Sequence, residues 1–295
     1  MDFASFAELF INGALVGLMY ALVALGIVLV YKSSGVANLA QGALVMLGGY
    51  AVWGLAAALG LPLWAAVPLG LVVLFGLGLG LERVALRRMV GQPPIMIIML
   101  TLGLEILLRG LGPATFGSTV KRLDLGVGVT PVIVGDVFIN RAYLIGGLAA
   151  LCLITASMLF FRTRQGTFLR AVSDDQSASW AVGIRVERAI GVSWGLAAIA
   201  AAVSGLLWGS IQGVDWTLSL LLLKAVAVAI LGGLDSIVGV LVAGLLLGVL
   251  ESVVPALADP IVGGGTRDVV ASLVILATVV FRPFGLFGRE EIERI

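Results

Sequence analysis

Long apolar stretches separated by short polar segments follow one another along almost the whole chain. Most are close to the ~20 residues that an α-helix needs to cross the ~30 Å hydrocarbon core of a bilayer. Because a lipid-facing backbone must satisfy its own hydrogen bonds, stretches of this length predict helices. They lie at 6–31, 36–59, 62–86, 94–111, 142–161, 189–211, 236–256 and 266–281, with a shorter run at 217–232. The pattern predicts an all-α, polytopic transmembrane helix bundle of eight or nine spans, forming a single domain over residues 1–295.

The short run at 217–232 allows two interpretations. It either crosses the membrane steeply, or forms a half-helix joined to 236–256 at membrane depth, where a break is tolerated only inside protein or beside a cavity. Charges at such a depth often mark a pathway or an ion pair, although side chains at the ends of a short helix can also reach the membrane surface. The translocation candidates here are Lys224, Gly232, Gly233 and Asp235.

Two segments in opposite halves of the chain are weakly similar to each other. The segments "SGVANLAQGALVMLGG" (34–49) and "GGLDSIVGVLVAGLLLG" (232–248) both combine a glycine-containing break, a small polar cluster and a helix with spaced glycines. Corresponding interruptions in two halves point to a transport site, while similarity of composition alone is the competing explanation. The repeat adds Asn38, Gln41 and Gly42 to the candidate pathway residues.

Composition excludes most enzyme chemistry. The 295 residues are 60% hydrophobic and 12% charged, with 40 glycines, which indicates closely packed membrane helices. Histidine is absent and Cys152 is the single cysteine, so disulfides, Cys/His zinc sites and histidine catalysis are excluded. No lysine follows the G-x-x-x-x-G of a phosphate-binding loop. We therefore expect no enzyme, no catalytic residue and no metal, and we expect Glu105 and Arg109 to form a local helix pair near the outer surface.

Basic residues set the predicted orientation. Alternating the spans places most of them on one side, which the positive-inside rule identifies as cytoplasmic. These residues are Lys32, Arg83, Arg87, Arg88, Arg162, Arg164, Arg170, Arg185, Arg188, Arg282, Arg289 and Arg294. The N-terminus is then outside, the C-terminus cytoplasmic, the loop at 162–188 cytoplasmic and the loop at 112–141 periplasmic.

The polar segment "RTRQGTFLRAVSDDQSASWAVGI" (162–184) predicts a short helix inside that cytoplasmic loop. Ser173 and Gln176 match a capping box, and Gly183 suits the helix end. A helix of two to three turns is marginal alone and needs support from a partner's groove, the lipid interface or neighbouring loops. First-turn aspartates disfavour anionic lipid, and Trp180 offers an anchor, so we favour the groove. The contact candidates are Ala171, Ser173, Asp174, Asp175, Ala178, Trp180 and Gly183.

Four segments together carry a resemblance to a known family. They are "GLMYALVALGIVLVYKSSGVANLAQGALVMLGGY" (17–50), the 162–184 segment, "ILGGLDSIVGVLVAGLLLGVLES" (230–252) and "FRPFGLFGR" (281–289). In combination they resemble the LivH-like permease subunits of ATP-binding-cassette importers of the branched-chain amino acid type. Residues 171–183 match the family's coupling helix, with Ala178 and Gly183 in its A-x-x-x-x-G pattern. Gln41 stands where the family's N-F-A-H-G motif has histidine.

The resemblance implies a bacterial inner-membrane permease with several partners. It implies a second homologous permease subunit, two cytoplasmic ATPase subunits that use the ATP, and a periplasmic solute-binding protein, with no cofactor in this chain. Lipid surrounds the chain, and we expect no nucleic-acid partner. Branched-chain or related amino acids are the expected solutes, with urea, short amides or aromatic acids as alternatives. An ion-coupled secondary transporter is the alternative from another class, and a membrane-embedded transferase ranks last because no cluster of carboxylates is visible.

Overall fold

Helices dominate the computed structural model, which describes residues 2–89, 92–126 and 130–288. They are α1 (Phe3–Ser34), α2 (Gln41–Trp53), α3 (Leu63–Val84), α4 (Pro94–Phe116), α5 (Arg141–Phe160), α6 (Arg164–Asp174), α7 (Gln176–Ala181), α8 (Val186–Gln212), α9 (Leu221–Gly232), α10 (Ile237–Val262) and α11 (Thr266–Phe281). A π-helical turn follows α2 at Gly54–Ala58, and 3-10 turns lie at Leu86–Met89 and Trp216–Leu220. Strands β1 (Val132–Val134) and β2 (Val137–Ile139) form an antiparallel hairpin. The predicted all-α membrane fold is confirmed.

Seven helical segments in the described part of the chain are long and apolar enough to cross a membrane. They include α1 to α5, α8 and α10. The other two predicted segments form shorter helices, the 16-residue α11 and the stretch Trp216–Gly232. Five 3-10 residues and twelve α-helical residues give that stretch a length of about 28 Å. This length is close to the thickness of the hydrocarbon core, so the stretch is long enough for the steep crossing, and the half-helix stays the alternative prediction.

The chain divides into two compact units. The first unit contains Met1–Ala24, Val127–Ile154 and Leu223–Ile295, and the second contains Leu25–Gly126 and Thr155–Leu222. Within the predicted outer loop at 112–141, α4 continues to Phe116 and the β-hairpin precedes α5. Residues 127–129 of that loop, and Arg289 and Arg294 of the predicted basic C-terminus, lie outside the described residues.

Small residues bring the helices of the second unit into backbone contact. Helix α2 packs along α8, and α8 also packs along α3. A Cβ atom added to Gly205 would lie 2.6 Å from the backbone nitrogen of Gly49, and one added to Gly48 would lie 2.5 Å from Cα of Ala202. In a lipid environment such close approach supplies the packing energy that the hydrophobic effect provides in water. These glycines therefore fix α2, which begins with two of the candidate pathway residues, Gln41 and Gly42.

In the first unit, α1 and α10 cross through two pairs of glycines spaced four residues apart. A Cβ atom on Gly13 would lie 2.8 Å from the carbonyl oxygen of Gly248, and one on Gly17 would lie 2.9 Å from the carbonyl carbon of Gly244. Both contacts are with backbone, which cannot move aside as a flexible side chain can. The crossing is the small-xxx-small packing typical of membrane helices.

Candidate functional site

The polar segment at 162–184 forms two helices, whereas its sequence pattern predicts one. Helix α6 begins at Arg164, and the hydroxyl of Thr163 accepts a hydrogen bond from the Gly166 amide at 3.4 Å. Its buried residues Gly166, Leu169 and Val172 lie on one face, and α6 packs against α8. The capping threonine and the apolar spacing are the signals from which this helix could have been found.

Asp175, and not Ser173, starts the second helix. The carboxylate of Asp175 accepts a hydrogen bond from the Ala178 amide at 2.9 Å, while its backbone amide still bonds to the Ala171 carbonyl of α6. Ser173 and Asp174 belong to the last turn of α6, so the predicted capping box is wrong. Aspartate caps as well as serine, and here the extended backbone of residue 175 allows its carboxylate to reach the amide.

The end of α7 is the one that the sequence predicts. Gly183 has φ +84° and donates to the Trp180 carbonyl, while the Ile184 amide donates to the Ser179 carbonyl, which together form a Schellman motif. Trp180 is 71% exposed and Val182 is 76% exposed. Both ends of this six-residue helix are thus capped, and it presents large apolar side chains outward.

The segment between α1 and α2, which we call the joint before α2, is closely packed and contains or adjoins the candidates Asn38, Gln41 and Gly42. Asn38 and Gln41 are fully buried. The side-chain oxygen Oδ1 of Asn38 accepts a hydrogen bond from the Ala40 backbone amide at 2.9 Å, and its Nδ2 donates to Gln41 Oε1 at 3.4 Å. Gln41 Nε2 donates in turn to the Ala197 carbonyl at 3.2 Å. Gly42 packs against the Ser219 carbonyl. In this structure the three candidates hold the start of α2.

Glu105 supports the same joint and does not form the predicted surface pair with Arg109. Its side chain is buried, and Oε2 accepts a hydrogen bond from the Ala43 amide at 2.7 Å. Thr101, one turn earlier on α4, accepts from the Leu39 amide at 3.3 Å. The first amides of a helix lack partners within it, and a carboxylate also complements the positive end of the helix dipole. The i,i+4 spacing of Glu105 and Arg109 did not reveal this contact, because it depends on a second helix.

The break between α9 and α10 is covered by the C-terminal segment. Gly233 has φ +99°, and Ser236 caps α10 by accepting from the Gly239 amide at 3.0 Å. The amides of Leu286 and Phe287 donate to carbonyls at the end of α9, at 2.8 and 3.2 Å. Gly232 approaches the backbone of Gly239, while Asp235 is half-buried. The candidates Gly232, Gly233 and Asp235 therefore form a tightly packed turn in this structure.

Lys224 belongs to a network of charges within the first unit. The side chain of Glu251 is only 1% exposed. Its Oε1 accepts a hydrogen bond from Lys224 Nζ at 2.7 Å. Its Oε2 accepts hydrogen bonds from Arg267 Nε at 3.2 Å and from the Tyr20 hydroxyl at 3.1 Å. Lys224 also donates to Asp268 at 2.9 Å. We call Tyr20, Lys224, Glu251, Arg267 and Asp268 the charge network. It connects α1, α9, α10 and α11.

The charge network is an arrangement that sequence analysis did not assemble. Lys224 is one of the candidates predicted from the sequence, and the signal for its partner was a glutamate, Glu251, inside an apolar run. A buried carboxylate requires opposite charge and hydrogen bonds, both of which are present here. Among residues 2–89, 92–126 and 130–288, no group of three or more His, Cys, Asp or Glu side chains is placed to hold a metal ion.

The family model and the curated sequence relatives agree with each other. A family model described as "Branched-chain amino acid transport system / permease component" matches residues 9–280. The high-affinity branched-chain amino acid transport system permease protein LivH of Escherichia coli strain K12 is 30% identical over 100% of this chain and 99% of its own. The corresponding protein BraD of Pseudomonas aeruginosa is 30% identical over 97% of this chain and 96% of its own. A chain of the solved structure of PsaBC from Streptococcus pneumoniae in complex with Fab has a TM-score of 0.45 at 18% identity, covering 96% of this chain and 93% of that one.

Proposed function

Because this chain belongs to the family of branched-chain amino acid transport permease components, we propose that it is the permease subunit of an ATP-driven importer of branched-chain or related amino acids. It would form half of the translocation pathway beside a second, homologous permease in the bacterial inner membrane. The full-length similarity to LivH and BraD supports this solute class over urea, short amides and aromatic acids. A periplasmic binding protein would deliver the solute.

The energy would come from two separate ATPase subunits that bind α7. One observation carries this proposal: a helix of only six residues is fixed by caps at both ends while Trp180 is 71% exposed to solvent. A fixed, exposed aromatic side chain is the kind of residue that dominates binding energy when it fills a groove in a partner. Asp174, Asp175, Ala178 and Gly183 are also exposed on this segment.

The orientation that we propose places α7 in the cytoplasm, where ATP is available. The N-terminus is then outside and the C-terminus inside. The basic residues between α5 and α8 and those after α3 support this orientation through the positive-inside rule.

We further propose that the joint before α2 and the turn between α9 and α10 each take part in opening the pathway. The joint before α2 and the turn between α9 and α10 are held by hydrogen bonds of side chains and loops, while the spans are held by helical backbone bonds. Breaks of this kind can rearrange without unfolding a span. Asn38, Gln41 and Gly42 belong to the first, and Lys224, Gly232, Gly233 and Asp235 lie at or before the second.

The direct test replaces the exposed tryptophan of α7. Trp180→Ala is expected to lower co-purification of the ATPase subunits with the full-length permease by roughly tenfold or more, because aromatic anchors of interfaces often contribute over 2 kcal/mol. Trp64→Ala is the matched control, since Trp64 is 81% exposed at the start of α3. Equal capture of the ATPases by both variants and the unchanged protein would refute the role of α7.

An ion-coupled secondary transporter is the second candidate function. The observation in its favour is the charge network, because ionisable side chains inside a membrane can carry coupling ions. The two functions differ in what the isolated chain does. A secondary transporter moves solute in liposomes under a proton or sodium gradient, whereas a permease subunit needs its ATPases.

A further inference from the structure

A cavity of about 420 Å³ opens beside α6, where two spans end. Its walls come from the end of α5, from α6, from the turn after α7 and from the first turns of α8. Phe160, Phe168, Leu169 and Val192 provide an apolar side, and Arg185 and Arg188 a basic side. Cavities of this size accommodate small ligands or parts of larger ones. The cavity residues that come from α5, α6 and α8 have no part in the coupling role proposed for α7.

The two arginines of this cavity are available to a ligand. Both are exposed, and neither forms an ion pair with a carboxylate in the part of the chain that the structure describes. None of the described residues that line the cavity is an aspartate or a glutamate. Two unpaired guanidinium groups above an apolar wall suit a ligand with an anionic head and an apolar tail, because guanidinium binds phosphate oxygens in a bidentate manner.

Helix α6 itself has the character of a helix at a membrane surface. Leu169 and Val172 are buried on its inner face, Arg164 and Arg170 are exposed, and Phe168 is 45% exposed beside the cavity. Basic residues and an exposed aromatic ring on one short helix, directly after a span, are typical of interfacial helices. The acidic pair Asp174 and Asp175 comes only at its end. The 162–184 segment thus divides into a basic helix suited to lipid and a helix suited to protein.

From this geometry we propose that the cavity binds one anionic phospholipid, with the phosphate on Arg185 and Arg188 and the upper part of an acyl chain against Phe160, Phe168 and Val192. The assignment rests on the proposed orientation, which places α6 at the inner leaflet. Bound lipid would fill the space between α6 and α8 and so hold the base from which α7 extends. Free phosphate has no apolar part that could contact the apolar wall, whereas a phospholipid has one, so we assign the cavity to the lipid.

The test measures lipid retention by the full-length permease in detergent, without its partners. Native mass spectrometry after incubation with equal amounts of phosphatidylglycerol and phosphatidylcholine gives the preference between them. We expect the unchanged protein to prefer phosphatidylglycerol and the double variant Arg185→Gln/Arg188→Gln to lose roughly thirty-fold in phosphatidylglycerol affinity, since each basic residue near an anionic lipid contributes about fivefold. Inorganic phosphate alone should not compete.

The matched control is Arg83→Gln/Arg88→Gln, which removes the same charge from exposed positions outside the cavity and should keep the preference. Absence of any preference in the unchanged protein, equal loss in both double variants, or competition by inorganic phosphate would overturn the proposal. If Arg185→Gln/Arg188→Gln lowers ATPase capture while neither this variant nor the unchanged protein prefers phosphatidylglycerol, the cavity is instead a contact with the ATPase. Trp180→Ala should leave the lipid preference intact, so failure of the lipid site and failure of the coupling proposal give different results.

Discussion

Glu251 shows how a single buried charge organises the residues around it. Its carboxylate lies in the middle of the apolar helix α10 and accepts hydrogen bonds from Lys224, Arg267 and Tyr20. Burying an unpaired ion in a low-dielectric medium costs several kcal/mol, and the partners offset that cost. Because the partners come from three other helices, this one side chain forms hydrogen bonds to all three of them.

Replacing Glu251 is therefore expected to destabilise the protein. Glu251→Gln keeps the shape of the side chain and removes its charge, which leaves Lys224 and Arg267 facing a neutral amide. Because Lys224 keeps its bond to Asp268 and the Arg267 side chain is 54% exposed, the cost should be about 1.5–3 kcal/mol, and the midpoint of thermal unfolding in detergent should fall clearly. Glu187→Gln, at an exposed position in the first turn of α8, is the control and should leave the midpoint unchanged. Equal midpoints for the two variants would contradict a stabilising network.

Small residues determine which helices meet. At the crossing of α1 and α10, Gly13 and Gly248 approach so closely that a methyl group would press against backbone. Glycine in a helix costs about 1 kcal/mol relative to alanine, and close packing without lipid between the helices outweighs that cost. The many glycines of the chain thus act through the contacts that they permit.

A pair of alanine variants separates contact glycines from neutral ones. Gly13→Ala would place a methyl group 2.8 Å from the Gly248 carbonyl oxygen and should cost about 1–3 kcal/mol of stability. Gly80→Ala, in α3, meets no atom within 4 Å and should be neutral or slightly stabilising. Thermal unfolding of both full-length variants checks this difference, and it is refuted if Gly13→Ala unfolds at the same temperature as Gly80→Ala.

Whole elements were easier to predict than their ends. Apolar length predicts helices because the bilayer imposes it, and every predicted apolar segment is helical. The start of α7 was predicted two residues early, since serine and aspartate cap equally well and only the backbone at residue 175 decides between them. Helix α6 was missed because its apolar face is short and lies within a charged loop. Gly183 was identified correctly, since a positive φ strongly favours glycine.

At the scale of the whole molecule, the contacts at the candidate sites depend on long-range pairing. Tyr20 and Glu251 are 231 positions apart, and Glu105 reaches an amide 62 positions earlier. No local pattern encodes such partners, whereas the predicted orientation follows from simple charge counting. In the proposed function, different parts of the chain have different roles. The spans and the interrupted segments serve transport, α6 provides a surface for lipid, and α7 provides a surface for an ATPase.

The most direct test of the account is ATP-dependent uptake of a branched-chain amino acid by proteoliposomes. The proposed complex of two permeases, two ATPases and a binding protein is compared with this chain alone and with the complex carrying Trp180→Ala. We predict that uptake requires ATP, persists when proton and sodium gradients are collapsed, falls at least tenfold with Trp180→Ala and is absent for the chain alone. Uptake by the chain alone, driven by an ion gradient without ATP, would contradict the proposed function.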